Sequence, residues 1–327
     1  MKEASLPYDA LAPERVLDCV ESLGLRCDGR LFALNSYENR VYQVGIEDAE
    51  PLVAKFYRPG RWTDEAILEE HAFVNELAAL EIPAVAPLSF GGRTLHHHAG
   101  YRFALFPRRG GRTPDLEHPD ELEWLGRFLG RLHAVGAARP FRHRPLLDAA
   151  RQCEEAIATL LALGGMPDYI RPAWTVAAQE LAQGIVAVFE QVGPLNRLRL
   201  HGDCHPGNLL WTDAGPHFVD FDDCLAGPAV QDVWMLLGGS REEMTFRLRH
   251  LLAGYTRFHA FDRAGLGLIE PLRGLRILGH AAWIARRWTD PAFPLAFPWF
   301  GTPRYWEEQV HTLREQLTRL TEPPLEP

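Results

Sequence analysis

The sequence predicts an α+β protein of two lobes, in which a small strand-rich lobe precedes a larger and mostly helical one. Its 327 residues exceed what one hydrophobic core usually serves, since single cores stop growing near ~250–300 residues. Apolar runs of strand length occur before Pro107, whereas patterns of helical period dominate after it. We therefore divide the chain into residues 1–107 and residues 108–327.

Patterns in the first lobe predict several strands and two helices. Four apolar residues share one helical face and predict a short amphipathic helix, namely Val16, Leu17, Val20 and Leu23. A second helical pattern opens at Thr63, just before two acidic residues that suit a first turn. Strands are expected at residues 32–34, 41–44, 52–57 and 101–106.

The second lobe has the pattern of long helices, interrupted by one short strand-turn-strand region. In the first of these helices, at residues 121–133, Gly126 and Gly130 lie four residues apart, so another element can approach closely. The other helical patterns cover residues 148–164, 173–191, 228–238, 241–258, 265–288 and 303–320, and the strand-turn-strand region covers 197–222.

Composition and charge favour a soluble cytoplasmic protein. The net charge of −9 does not favour nucleic acid or an anionic membrane as a partner. The five cysteines are scattered and form no C-x-x-C pair, which is typical of a reducing compartment. No apolar run approaches the ~20 residues of a membrane span, and residues 1–7 lack the apolar core of a signal peptide. We expect a cytoplasmic monomer.

The strongest chemical signal is the loop His201-Gly202-Asp203 to Asn208, followed twelve residues later by Asp220. Phosphoryl transfer needs divalent metal to bridge the phosphates, and hard oxygen ligands hold such a metal. It also needs a carboxylate that orients the acceptor hydroxyl and accepts its proton. Two apolar segments flank a turn at residues 213–216, so a hairpin is expected to bring Asp220 to the cleft of Asp203 and Asn208.

These segments resemble the catalytic and metal-binding segments of the protein-kinase-like superfamily, in its aminoglycoside phosphotransferase and choline kinase branch. The resemblance implies a bilobal protein-kinase-like fold with an antiparallel sheet in the small lobe. It also implies ATP as the phosphate donor. Asp203 is then the catalytic base, Asn208 and Asp220 bind Mg²⁺, and Asp220 counts among the catalytic residues too.

In that superfamily a strand lysine contacts the α- and β-phosphates of ATP and is held by a glutamate of the next helix. Lys55 matches the lysine, and Glu70 is our choice for the glutamate. Glu69 is the alternative, because the phase of a helix is uncertain by one residue at this level. Adenine is expected to meet a hinge at residues 106–108, so Phe106 and Arg108 are nucleotide-binding candidates.

Over nearly the whole chain, the resemblance is closer to the bacterial stress response kinase A family. That family is described as cytoplasmic Ser/Thr protein kinases that autophosphorylate and act in stress survival. No G-x-G-x-x-G loop precedes Lys55, and Ser36 instead matches the ATP-contact serine of the family. The resemblance implies a protein substrate, and the matching segments are residues 34–43, 53–59, 67–71, 198–208, 228–237, 269–273 and 286–294.

Three other interpretations stay open. A metallohydrolase would use His201, Asp203 and His205 as a zinc cluster. A small-molecule phosphotransferase would keep the same chemistry and act on an aminoglycoside-like or choline-like compound. A nucleotide binder without catalysis would keep the fold, although the intact set of candidate residues argues against it.

Further residues are candidates of second rank. Asp232 is expected to anchor the backbone of the catalytic loop, to cap the following helix, or both. The aromatic segment 288–306 is expected either to line an acceptor site or, more simply, to pack in the core. Arg286 and Arg287 are candidates for contacts with phosphate. Residues 221–227 are too few for an activation loop with a phosphorylation site.

Overall fold

A computed structural model describes residues 8–327 of the chain. The N-terminal part is an antiparallel sheet with two helices. Its elements are α1 (Pro13–Glu21), β1 (Cys27–Leu34), β2 (Arg40–Ile46), β3 (Leu52–Phe56), α2 (Asp64–Ala79), β4 (His96–His98) and β5 (Tyr101–Pro107). The strand order is β1-β2-β3-β5-β4. The expectation that residues 1–7 do not form a signal peptide concerns residues outside the described range.

The sheet places Lys55 at its centre. On β3, Lys55 pairs with Val41 of β2 on one side and with Ala104 of β5 on the other. β1 begins earlier than predicted, and a bulge between Cys27 and Leu31 accompanies this polar start. β4 was missed because three histidines carry no apolar alternation.

The C-terminal part is mainly helical and contains two short antiparallel strand pairs. Its elements are α3 (Pro119–Ala137), α4 (Ala149–Ala162), α5 (Arg171–Val192), β6 (Leu198–Leu200), β7 (Leu209–Thr212), β8 (Gly215–Phe218), β9 (Leu225–Gly227), α6 (Val230–Val233), α7 (Arg241–Tyr255), α8 (Ile269–Arg286), α9 (Ala292–Ala296) and α10 (Pro303–Arg319). β7 pairs with β8, and β6 pairs with β9. The predicted fold class, an antiparallel N-terminal sheet followed by a larger helical part, is confirmed.

Two predicted helices are shorter in the structure. The helix expected at 228–238 is α6 followed by a 3-10 turn at Trp234–Leu236. The one expected at 265–288 starts as a 3-10 turn at Arg263–Leu268, and α8 begins only at Ile269. Pro271 explains this start, because proline lacks an N–H and suits only the first turn of an α-helix.

Most buried side chains of the C-terminal part belong to two large clusters. One joins α3, α7 and the β7–β8 hairpin to α2 of the N-terminal part, and it includes Cys204 of the loop of Asp203. The other joins α4, α5, α8 and α10 around Trp174 and Trp306, whose rings meet edge-to-face at 5.9 Å. In the described part of the chain, no helix combines the length and apolarity needed to cross a bilayer.

Replacing Gly126 by alanine is expected to destabilise the protein by about 1–3 kcal/mol, which urea unfolding would measure. A Cβ at Gly126 of α3 would overlap the backbone oxygen of Leu251 of α7, and backbone cannot move aside cheaply. Gly279→Ala in α8 is the matched control, since a Cβ there meets nothing within 4 Å. We expect the control to be neutral or stabilising by up to ~1 kcal/mol. Equal stability of the two variants would contradict the tight helix contact.

Candidate active site

The loop that carries Asp203 is held by one buried carboxylate. Asp232 accepts hydrogen bonds from the backbone N–H groups of His201 and Gly202, both at 2.8 Å. Its Oδ2 also lies 3.1 Å from Nε2 of His133, and both side chains are fully buried. Asp232 lies inside α6 rather than at its cap. Of the two expected roles, the structure therefore shows the anchoring contact.

Gly202 lets this loop pass close to the segment after Asp220. Its φ of 86° lies in the region that favours glycine, and a Cβ there would overlap the backbone oxygen of Asp223. Gln231 Nε2 donates to the Gly202 oxygen at 2.8 Å. The loop of Asp203 and the Asp220 segment are therefore neighbours in space.

Asp203 is partly buried and has cationic and amide partners. Arg276 Nη1 donates to its Oδ1 at 2.6 Å, and Nε2 of His205 lies 3.4 Å from Oδ2. Asn208 Nδ2 donates to the Asp203 backbone oxygen at 2.9 Å and lies 3.4 Å from Oδ2. Burial would raise the pKa of Asp203, but the contacts with His205 and Arg276 outweigh it and hold this pKa well below the usual range. The carboxylate is thus ionised at neutral pH.

A hairpin brings Asn208 and Asp220 together, as the spacing predicts. β7 and β8 pair from Leu209 opposite Phe218, and Val219 N donates to the Asn208 oxygen at 3.1 Å. Asp220 follows with a φ of 59°, a left-handed conformation that aspartate tolerates better than most residues. Its side chain is 51% exposed and faces the cleft, where Lys55 reaches it.

Lys55 bridges the two parts of the chain. Its Nζ lies 2.9 Å from Oδ1 of Asp220, 3.0 Å from Oδ1 of Asp222 and 3.8 Å from Oε1 of Glu70. Burial disfavours the ammonium charge, but these three carboxylates outweigh burial and raise the pKa of Lys55 well above its usual value. The lysine therefore stays protonated at this position.

The two adjacent glutamates of α2 have different surroundings. Glu70 is buried beside Lys55, and burial raises its pKa to about 7 although Lys55 acts against the rise. Glu69 points elsewhere and accepts hydrogen bonds from the backbone N–H groups of Arg142, His143 and Arg144 at 2.7–2.9 Å. The structure thus brings Glu70, and not Glu69, to Lys55.

Arginines that the sequence reasoning missed neutralise the acidic segment after Asp220. Arg61, which follows β3, contacts the carboxylates of both Asp222 and Asp223. Arg144 contacts the backbone oxygen of Asp222 and donates to that of Cys224 at 2.9 Å. Burial would raise the pKa of Asp222, but the cations around it lower it well below its usual range. No local motif marked Arg61, because its partners lie about 160 residues away.

The loop between β1 and β2, which carries the half-buried Ser36, is docked on the helical part through Glu38. Trp283 Nε1 donates to Glu38 Oε2 at 2.6 Å, and Arg287 contacts the same oxygen. Arg58 Nε lies 3.2 Å from Oε1 of Glu38. Arg287, a candidate for phosphate contact, is thus paired with a carboxylate of the loop.

Aromatic packing reinforces this docking. The ring of Tyr37 lies 5.2 Å from that of Phe297 and 6.4 Å from that of Phe293. Arg40 and Arg58 both pair with Asp290, at 3.1 Å and 2.7 Å.

Other aromatic side chains of segment 288–306 fill the core, including Phe300, Tyr305 and Trp306. The other candidate arginine, Arg286, lies 3.4 Å from the hydroxyl of Thr159.

The two hinge candidates lie at the end of β5. Phe106 pairs with Val53 and packs its ring edge-on against His71. Arg108 is exposed, and its Nε donates to Oε1 of Gln43 at 2.8 Å. Their contact with a nucleotide stays a prediction, as does the domain boundary at 107/108.

The histidine cluster of the metallohydrolase alternative is not arranged around a common point. His201 is fully buried, its Nε2 donates to the Val219 oxygen at 2.8 Å, and its Nδ1 accepts from Asp203 N at 3.3 Å. Both ring nitrogens thus have backbone partners. Within residues 8–327, no three His, Cys, Asp or Glu side chains are grouped as metal ligands. His201 supports the loop.

Comparison with known proteins assigns the class. The sequence model of the phosphotransferase enzyme family (APH) matches residues 31–296. The chain therefore belongs to this family and is an ATP-dependent phosphotransferase. It is similar over its full length to stress response kinase A of Escherichia coli K12, at 44% identity over 333 residues that cover 100% of this chain and 98% of that protein. The resemblance predicted from the sequence is confirmed.

Two further relatives match this chain at the same identity. Stress response kinase A of Salmonella choleraesuis strain SC-B67 is 44% identical over 326 residues, covering 100% of this chain and 98% of that protein. The relative from Salmonella typhimurium strain LT2, with the same identity and coverage, is named serine/threonine protein kinase RdoA.

Solved structures share the fold at low identity. Amicoumacin kinase hAmiN, in complex with AMP-PNP, Ca²⁺ and Ami, gives a TM-score of 0.74 at 19% identity, covering 98% of this chain and 96% of that chain. Choline kinase LicA from Streptococcus pneumoniae gives a TM-score of 0.65 at 14% identity, covering 94% and 99%. The kinase-like fold is thus established.

Proposed function

We propose that this chain is an ATP- and Mg²⁺-dependent serine/threonine protein kinase that autophosphorylates and acts in a stress response. One observation carries the proposal: Lys55 Nζ lies 2.9 Å from Asp220, beside the loop of Asp203 and Asn208. This contact joins a cation of the sheet to carboxylates of the helical part, where the phosphates of ATP need both. The name of the Salmonella typhimurium relative supports a protein as the acceptor.

Asp203 is the proposed base. The acceptor oxygen forms a bond to the γ-phosphorus while the bond from that phosphorus to the bridging oxygen breaks, and ADP leaves. The hydroxyl proton passes to the carboxylate of Asp203, which is ionised and held on an anchored loop. Because positioning supplies much of the rate in such reactions, the fixed loop backbone matters as much as the carboxylate.

The oxygen donors in the cleft fit Mg²⁺. Asn208 and Asp220 lie side by side on the hairpin, and Asp220 points an exposed carboxylate into the cleft. They would hold the metal, which when bound neutralises charge on the phosphates. Lys55 positions the phosphates, and Glu70 holds Lys55.

The remaining assignments belong to the same proposal. Residues 1–107 form the nucleotide-binding lobe, with Ser36 at the phosphates and Phe106 and Arg108 at the hinge. Residues 108–327 form the catalytic and substrate lobe. The protein acts as a cytoplasmic monomer, without a nucleic-acid or membrane partner.

Incubation with γ-labelled ATP tests this function. We expect Mg²⁺-dependent label on the chain itself and on casein as a generic protein substrate, with loss of label when EDTA removes the metal. Mass mapping should find phosphate on serine or threonine. Rapid labelling of choline or an aminoglycoside with none on protein would contradict the protein substrate and favour the small-molecule alternative.

A further inference from the structure

A cavity of about 460 Å³ opens beside Asp203, on the side of α8. Its wall carries two arginines, Arg273 and Arg276, and two histidines, His205 and His280. The other lining residues are apolar or glycine, and none of the lining residues found within the described chain is Asp or Glu. A cavity of this size holds a few side chains or a small ligand.

Arg276 links the cavity to the proposed base. Its guanidinium donates to Oδ1 of Asp203 at 2.6 Å, and its side chain is 45% exposed. Arg273 is paired with Glu270 at 3.1 Å and lies over the ring of Trp234. Arg276 is therefore the wall cation that is available to a ligand, and it also occupies one oxygen of the base.

The contact with Arg276 competes with the acceptor hydroxyl for the carboxylate of Asp203. Asp203 must accept a hydrogen bond from the acceptor hydroxyl, but Oδ1 is taken by Arg276, and His205 and Asn208 face Oδ2. An anion in the cavity offers the guanidinium a second partner of the same charge. Arginine binds carboxylate and phosphate through paired N–H donors, so it can turn from Asp203 to such a group.

We propose that the acceptor is a serine or threonine flanked by an anionic residue, whose carboxylate or phosphate binds Arg276 and thereby frees Asp203. This inference rests on the proposed kinase function. The same wall disfavours a cationic acceptor, because an ammonium group would face guanidinium groups with no lining carboxylate to bind it. An aminoglycoside or choline is therefore a poor fit to this cavity.

Binding of synthetic serine peptides tests the proposal without any phosphate transfer. Three peptides of equal length are titrated calorimetrically into the full chain with Mg²⁺ and a non-hydrolysable ATP analogue. Their central serine is flanked by glutamate, by glutamine or by lysine, and a fourth carries phosphoserine as the flanking residue. We expect the acidic peptides to bind at least about tenfold more tightly than the glutamine peptide, and less tightly at high salt.

Variants of Arg276 test whether this residue causes the preference for acidic peptides. Arg276→Gln should reduce the preference for acidic peptides to about twofold or less, while Arg276→Lys keeps part of it through the charge. Arg304→Gln is the matched control, since Arg304 is exposed on α10 and paired with Glu308. It should leave the preference unchanged.

The outcomes separate this inference from the kinase proposal. Equal binding of the glutamate, glutamine and lysine peptides, or a preference that survives Arg276→Gln, overturns the anionic acceptor even if labelled ATP phosphorylates protein. A preference that Arg276→Gln removes supports it, and the tighter of the glutamate and phosphoserine peptides identifies the source of the anion. Absence of transfer to any protein would instead refute the kinase proposal.

Discussion

Replacing Asp203 by alanine is expected to lower the rate of phosphate transfer by about 10²–10⁴-fold, the range typical of a lost general base. ATP binding should be nearly unchanged, because the contacts of Lys55 with Asp220, Asp222 and Glu70 do not involve Asp203. Initial rates with labelled ATP measure the first effect, and calorimetric titration with ATP and Mg²⁺ measures the second.

Two further variants make this result specific. Asp203→Asn keeps the shape of the side chain and still offers an oxygen to Arg276, so it should fold normally and remain defective in transfer. Asp213→Ala is the control, because Asp213 is exposed in the turn of the same hairpin and should keep full activity. Undiminished phosphate transfer by Asp203→Ala would contradict the proposed role of Asp203 as the base.

Replacing Asp220 by asparagine is expected to weaken binding of Mg²⁺-ATP by roughly 10–100-fold, a loss of the size seen when the support of a metal site is removed. Asparagine tolerates the left-handed backbone that the φ of 59° imposes, so the hairpin should keep its shape. The charge that would bind metal, and that Lys55 contacts at 2.9 Å, is removed.

Titration with ATP in Mg²⁺ and in EDTA measures this prediction. The wild type should bind far more tightly with metal, and Asp220→Asn should lose most of that difference. Asp213→Asn is the control on the same hairpin, since it removes one exposed carboxylate outside the cleft. If Asp220→Asn retained the full metal dependence, Asp220 would not be a metal ligand.

The glutamate partner of Lys55 could be predicted from the sequence only to within two residues, Glu69 and Glu70. The helical pattern and the position after Lys55 restricted the partner to two neighbouring residues. Successive residues of a helix point about 100° apart, so only the rotation of α2 against the sheet decides which one faces Lys55. In the structure Glu70 is buried there, and Glu69 caps backbone N–H groups at residues 142–144.

The sequence did not predict the long-range partners of three charged residues, namely Arg61, Glu38 and Arg276. Each is a charged residue without a motif, and each meets its partners across the fold: Arg61 at Asp222, Glu38 at Trp283, and Arg276 at Asp203. Charged residues are mostly solvated, so nothing in their own neighbourhood separates these three from the others. Their partners became visible only when the sheet and the helices were packed together.

The sequence by itself determined most of the order of strands and helices, the loop from His201 to Asn208, and the hairpin that returns to Asp220. These features depend on periodicity and on spacing within about twenty residues, where covalent geometry leaves few alternatives. The tertiary structure alone decided the choice of Glu70, the docking of the Ser36 loop, and the Arg276–Asp203 pair. Such contacts depend on how whole elements rotate and pack, and side chains far apart in the chain carry no local record of it.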